Sequence, residues 1–325
     1  MTGRGQLGFL QAATVALLLP AAACGPAASG GAAGTPGSGL TQIAGQPSLG
    51  PVLATCEVQM VEGNGLGTNG LTGNGICQNG LGAAGLDLAN FDTASFASWF
   101  NANPATAEMV VEYAYRCAAP SGKSVTWTNP ATGVAYTWTG GLGLAPSWAG
   151  GAPATETEQQ LVSACLAALV NKYGVNVTIA VEGRTATGAR IPLTQNELFD
   201  YPVREACFFG NLFTNDGVFV GLDHWAWPDS ISSVRACAID RQAVGPSIDC
   251  PPMYNVDYCW NRCTRDWTGT FYESCTFNGV TYKPLTTRIA LSDVYRCGDG
   301  VCQISEHCGT TDSADSCRSD CGLCP

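Results

Sequence analysis

Beyond residue 93 the apolar positions fall into regular periods. Asn103-Pro104 opens a helix, since proline at the first helical position loses nothing by lacking an N–H. Met109, Val110, Tyr113, Ala114 and Cys117 then lie on one helical face. A second helix begins at Thr155, with Glu158 three residues on to complete a capping box. Its apolar stripe is Leu161, Val162, Cys165, Leu166, Leu169, Val170 and Tyr173, and Gly174 ends it. Each stripe carries a cysteine. If the two helices pack together, both sulfurs face one core, and a Cys117–Cys165 disulfide is predicted.

Between these helices, residues 124–139 read as a hairpin. Trp127, Tyr136 and Trp138 are strand residues around the turn composition Asn129-Pro130-Ala131-Thr132-Gly133. Val175, Val177, Ile179 and Val181 alternate strictly, which predicts a strand over 175–182. Further strands are expected near 218–222 and 276–282. The fold class is α+β, with a disulfide-rich domain over 99–290.

Upstream the period changes. Asn-Gly-Leu or Asn-Gly-Ile units start at Asn64, Asn69, Asn74 and Asn79. The apolar register runs on through Leu66, Leu71, Ile76, Leu81, Leu86, Phe91 and Phe96, a spacing of five that belongs to neither helix nor strand. Two readings of segment 56–98 stay open. One is a short square β-solenoid, because Ala89-Asn90-Phe91-Asp92-Thr93 resembles a pentapeptide repeat. The other is a glycine-rich stalk whose leucines dock on the following domain, since few repeats cannot bury a core of their own. Cys56 and Cys77 flank or interrupt the segment.

The N-terminus reads as an export signal over 1–23. Arg4 precedes an apolar run over 7–19, too short for a permanent span of roughly 20 residues. Ala21-Ala22-Ala23-Cys24 resembles a bacterial lipobox, although leucine is usual where Ala21 stands. That resemblance implies cleavage before Cys24 and a diacylglycerol thioether on its sulfur. Ordinary signal peptidase cleavage is the competing reading. Cysteine arithmetic favours the lipobox: 17 cysteines are an odd number, and giving Cys24 to lipid leaves 16 to pair. Residues 25–50 carry no charge and are rich in Gly, Ala, Ser and Pro, so 24–55 is expected to be a flexible linker. Gly25, rather than Asp, after the cysteine resembles outer-membrane sorting. The expected location is the outer membrane or cell surface, with the membrane as partner through the lipid.

Net charge and cysteine content narrow the partners. The formal net charge is −11 and only 15 residues are basic, which excludes nucleic acid. The many cysteines imply an oxidising compartment.

Candidate chemistry is sparse. The chain has two histidines. Asp223-His224 offers the acid and base of a hydrolytic triad, yet no Gly-x-Ser-x-Gly elbow supplies the nucleophile, and no His-Glu-x-x-His motif holds zinc. Trp127, Tyr136, Trp138 and Trp148 form one aromatic group, and Trp225, Trp227, Trp260 and Trp267 another. Each is either core or a platform on which sugar rings stack. In the tail over 297–325, Cys297, Cys302, Cys308, Cys317, Cys321 and Cys324 accompany almost no apolar residues, so about three disulfides must replace a core. Asp299, Glu306 and Asp320 are oxygen ligands suited to calcium; otherwise no cofactor is expected. The Cys321-x-x-Cys324 spacing lacks the preceding βαβ unit of a redox site.

Several stretches resemble one family. Gly143-Leu144-Ala145-Pro146-Ser147-Trp148, the run from Val162 to Asn171, and Phe208-Phe209-Gly210-Asn211-Leu212-Phe213 look like uncharacterised myxobacterial secreted proteins. These often carry Asn-Gly-Leu repeats before the domain and Cys-Gly-Asp-Gly-x-Cys modules at the end. The resemblance implies no activity or ligand. The expectation is a non-enzymatic binding or structural lipoprotein of the envelope, with a surface or extracellular ligand, conceivably a glycan. The alternatives are an envelope hydrolase using Asp223 and His224, or a calcium-dependent adhesin.

Overall fold

The computed structural model describes residues 84–170, 178–214, 216–223, 244–246, 253–293, 297–302, 306–313 and 316–325. Cys24, the export signal, the linker and the repeat up to residue 83 lie outside them, as do His224, Trp225 and Trp227.

The chain enters with three helices, α1 (Leu88–Phe91), α2 (Ala94–Ala102) and α3 (Pro104–Ala118). Each start is set by a side chain that accepts an otherwise orphaned amide: Asp87 for Asn90, Thr93 for Phe96 and Asn103 for Thr106. The last members of the five-residue register therefore do not form a solenoid. Leu86, Phe91 and Phe96 are all buried, the two phenylalanines on short, separately capped helices. The globular domain thus begins well before residue 99. Trp148 fixes its entry: its backbone oxygen accepts from Leu86 N at 2.7 Å, and its indole N–H donates to the Ala84 carbonyl.

A hairpin of β1 (Ser124–Thr128) and β2 (Ala135–Thr139) lays Trp127 and Trp138 against these helices. The rings mesh tightly, Phe100 lying 4.9 Å from Trp127 and 4.8 Å from Tyr136 between centroids. After the one-turn α4 (Pro146–Ala149) comes α5 (Glu156–Leu169), opened by the capping box of Thr155 and Glu158. Helix α5 ends earlier than its apolar stripe predicts. Val170 is already extended, and 171–177 lie outside the described residues, with the first part of the strand expected over 175–182. The Cys117–Cys165 disulfide joins α3 to α5.

The remaining elements are β3 (Ala180–Gly183), α6 (Gln195–Asp200), β4 (Val203–Asn211), β5 (Gly217–Leu222), β6 (Gly245–Pro246), β7 (Met253–Tyr258), β8 (Cys263–Arg265), β9 (Tyr272–Phe277), β10 (Val280–Tyr282) and β11 (Leu285–Ile289). They build a six-stranded sheet in the order β3-β11-β4-β5-β7-β6 and a three-stranded sheet in the order β10-β9-β8. Only β5 and β7 run parallel among neighbours of the large sheet. Ala206, Phe208, Val218, Val220 and Leu285 join the core that contains α3 and α5, while Cys207, Phe209 and Phe219 pack with Tyr272, Cys275, Phe277 and Tyr282 of the small sheet. That is the period-two alternation of a sheet buried on both faces.

The strand expected over 276–282 is in fact a hairpin. Asn278 (φ 50°) and Gly279 (φ 79°) form a two-residue turn between β9 and β10. Asn-Gly with both φ positive is the turn whose twist matches antiparallel strands. The tail carries β12 (Asp312–Ser313), β13 (Ser316–Cys317) and α7 (Arg318–Cys321). Among the described residues no helix is long and apolar enough to cross a membrane. Six disulfides are described in all, and such a density persists only in an oxidising compartment.

Candidate functional site

Asp223 follows directly on β5 and keeps its pairing with β4: its backbone N–H donates to the Glu205 carbonyl at 2.9 Å. Its side chain is fully buried. One carboxylate oxygen, Oδ1, accepts from the Tyr272 hydroxyl at 2.9 Å and from Arg265 Nη2. The Arg265 guanidinium also lies over the Tyr272 ring, 4.2 Å from its centroid. One carboxylate thus ties the large sheet to β8 and β9 of the small one. Burial and the Asp223 charge drive the Tyr272 phenol far above its ordinary range, which keeps it protonated as a donor. Beside it, Glu205 is buried and accepts from Thr287 Oγ1 at 2.7 Å. Burial and the Glu205 charge push Asp293 upward.

This arrangement balances a buried charge. A carboxylate without a partner would be driven to protonate, and removing one member of such a pair costs about 3–5 kcal/mol. Arg265 and Tyr272 meet the charge of Asp223 at a single oxygen. The second oxygen, Oδ2, is buried and has no partner among the described residues. The histidine that would complete an acid–base pair, His224, lies outside them. Two further ion pairs link strands: Arg288 Nε of β11 to Glu182 Oε2 of β3 at 2.6 Å, and Arg184 Nη2, just after β3, to Glu273 Oε1 of β9 at 2.6 Å.

In the tail, the cysteines pair as Cys297–Cys317, Cys302–Cys321 and Cys308–Cys324. The Cys321-x-x-Cys324 cysteines are therefore bonded elsewhere and not to each other. Asp320 accepts from three consecutive amides, Gly298 at 2.5 Å, Asp299 at 3.2 Å and Gly300 at 3.0 Å. Gly298 (φ 97°) and Gly300 (φ 85°) supply the positive φ values that turn these N–H groups inward. The Cys-Gly-Asp-Gly motif is thus a cradle for the chain's own carboxylate. Asp299 Oδ1 accepts from Val301 N at 2.9 Å, and Glu306 lies against Cys321, 3.6 Å from its sulfur. Asp320 sits with Cys297 and Cys317, whereas Glu306 sits with Cys302 and Cys321, so these two calcium candidates belong to separate groups. Every sulfur in those groups is in a disulfide and is not the thiolate that binds metal.

The aromatic groups divide sharply. Trp127, Trp138 and Trp148 are at most 2% exposed and belong to the core. Trp260 is 41% exposed and stacks on Tyr258 at 4.1 Å, and Trp267 is 90% exposed. No protein-family model, curated protein or solved structure matches the chain.

Sequence reasoning singled out Asp223 but missed its partners Arg265 and Tyr272. They sit 42 and 49 residues away, and no local pattern marks a long-range ion pair. A signal did exist for the neighbouring turn. Asp266 followed by Thr268, Gly269 and Thr270 has the composition of a loop wrapped around an aspartate.

Proposed function

We propose that the chain is a lipid-anchored protein of the outer membrane or cell surface, attached through Cys24, that works by binding or by structure rather than by catalysis. One observation carries the non-catalytic reading. The carboxylate best placed for acid–base work, Asp223, is spent on Arg265 and Tyr272, holding two sheets together. Acting as a general base in its own right, Asp223 would need an oxygen within reach of a substrate proton, and this side chain is fully buried. The disulfides support an extracytoplasmic setting. The odd cysteine count and the uncharged linker support the lipid on Cys24.

A second reading, an envelope hydrolase in which Asp223 orients His224, draws on the partnerless Oδ2. The two separate in one experiment. The full chain, produced in an oxidising bacterial envelope, is screened with esterase, glycosidase and peptidase substrates beside a His224→Ala variant. The binding reading expects no turnover above background in either. Turnover that disappears in His224→Ala would overturn it. Metabolic labelling with radioactive palmitate, present in the parent and lost in Cys24→Ser, tests the anchor.

A further inference from the structure

The turn between β8 and β9 presents a tryptophan to solvent on a rigid frame. Asp266 organises it. Its carboxylate accepts from the Thr268 amide at 3.1 Å, the Thr270 amide at 2.8 Å, the Phe271 amide at 3.3 Å and the Thr268 hydroxyl. Arginines brace the turn from outside. Arg204 Nη2 and Arg265 Nη1 both donate to the Gly269 carbonyl, at 2.8 and 3.4 Å. Arg190 Nη2 donates to Thr270 Oγ1 at 3.0 Å, and its guanidinium lies 5.3 Å from the Phe271 ring centroid. At the apex Trp267 is 90% exposed. A surface tryptophan needs no explanation by itself. One held on a preorganised turn offers a large flat face whose backbone has little entropy left to lose on binding.

Charge selects among ligands. Arg184, Arg190, Arg204 and Arg265 gather around this turn, out of 15 basic residues in a chain of net charge −11. Arg184 is paired with Glu273, and Arg265 with Asp223. In the bonds described, Arg190 donates to the Thr270 hydroxyl and Arg204 to the Gly269 carbonyl, both uncharged oxygens. Arg190 is exposed, and its planar fork is suited to a carboxylate. An anionic bilayer is a poor fit, because two arginines not committed to a carboxylate fall short of the roughly four to eight basic residues of a headgroup-binding cluster. A neutral sugar would leave the guanidinium unused.

We propose that Trp267, with Arg190 held on the same turn through Thr270, is a binding site for an acidic glycan: the indole stacks on a pyranose face and the guanidinium takes the carboxylate of a uronic acid. This rests on the binding reading above and names its ligand class. The test is affinity electrophoresis of the full chain through gels containing polygalacturonate or neutral dextran. Polygalacturonate is expected to retard the chain and dextran is not. Trp267→Ala should weaken the retardation about tenfold, roughly 1.4 kcal/mol. Arg190→Gln should weaken it severalfold and remove its salt dependence. Both side chains are exposed, but Arg190→Gln also removes a bond to Thr270, so Trp267→Ala, which breaks no described bond of the turn, decides the site, and thermal melting checks both variants. No retardation by polygalacturonate, equal retardation by dextran, or retardation indifferent to Trp267→Ala each overturns the site. Trp267-dependent sedimentation with phosphatidylglycerol vesicles in place of polygalacturonate binding also overturns it. Release of reducing ends from polygalacturonate would instead defeat the non-catalytic reading while leaving the site standing, so the two failures are distinguishable.

Discussion

The helical side of the domain and the cysteine-rich tail solve the same problem by opposite means. Around α2, α3, α5 and the β1–β2 hairpin, the chain buries Phe91, Phe96, Phe100, Trp127 and Trp138 with ring centroids about 5 Å apart. One disulfide, Cys117–Cys165, reinforces a core that apolar burial already stabilises. The tail has no comparable core; its buried side chains among the described residues are Cys317 and Glu306. Three disulfides and the three amides on Asp320 take the place of one. The lesson concerns size. A short segment cannot bury enough surface to offset its chain entropy, so crosslinks must reduce that entropy directly.

Reduction gives the largest test of this contrast. Under a reductant strong enough to open all six described disulfides, the tail should lose its structure altogether while α5 keeps a folded core around it. Hydrogen exchange followed by mass spectrometry reads both regions at once. The Gly298, Asp299 and Gly300 amides should exchange at the rate of an unfolded peptide, and the Leu161 and Leu166 amides should remain protected. Protection that survives in the tail would show that Asp320 and its cradle hold the turn without the disulfides.

Phe100→Ala attacks the other side. Phe100 is fully buried and touches Phe96, Trp99, Trp127, Tyr136 and Trp138. Truncating it leaves a cavity and should cost about 4 kcal/mol in urea unfolding, within the usual range for a buried phenylalanine. A loss below about 1 kcal/mol would mean the aromatic cluster is not what stabilises this half.

The two halves also differ in how far a reader of the sequence could see. The helix start at Asn103-Pro104, the Thr155–Glu158 capping box and the β1–β2 hairpin were legible because each is written in a few adjacent residues. Helical period put Cys117 and Cys165 each on a buried stripe, and packing of the two helices brings them together. The β9–β10 turn was equally local, in Asn278-Gly279, but alternating residues on both sides of it read as one continuous strand. What could not be read was long-range. A period of five suited a solenoid as well as two capped helices, because only packing against Trp138 and Trp127 tells Phe91 and Phe96 which way to face. The Asp223 tie depends on strands far apart in sequence. In the tail, sequence shows the carboxylates but not the backbone amides that donate to Asp320.

A smaller effect measures the reinforcement itself. Replacing Cys117 and Cys165 together with alanine frees a loop spanning 48 residues. The chain-entropy argument sets the loss at about 4 kcal/mol, within the roughly 2–5 kcal/mol usual for removing a native disulfide. The α+β core should nevertheless stay folded, as judged by far-ultraviolet circular dichroism. If instead the domain failed to fold, the helical side would depend on its crosslink as the tail does, and the contrast would collapse.

The smallest expected effect lies at the Asp266 turn, where neither an apolar core nor a disulfide does the holding. Burial raises the pKa of Asp266, but the hydrogen bonds from Thr268, Thr270 and Phe271 outweigh it and lower it from 3.8 to about 2. A folded-state pKa below the unfolded value means that the bonds add stability fully above pH 4 and lose it as the pH falls through about 2. Between pH 4 and pH 2 the turn should therefore loosen before the aromatic core does. Trp267 sits within it and is exposed, so the anisotropy of its fluorescence reports the loosening once the core tryptophans are accounted for with a Trp267→Phe control. Asp266→Asn should remove the transition from this window. A transition that persisted unchanged in Asp266→Asn would assign it to another carboxylate and leave the rigidity of the turn without its proposed cause.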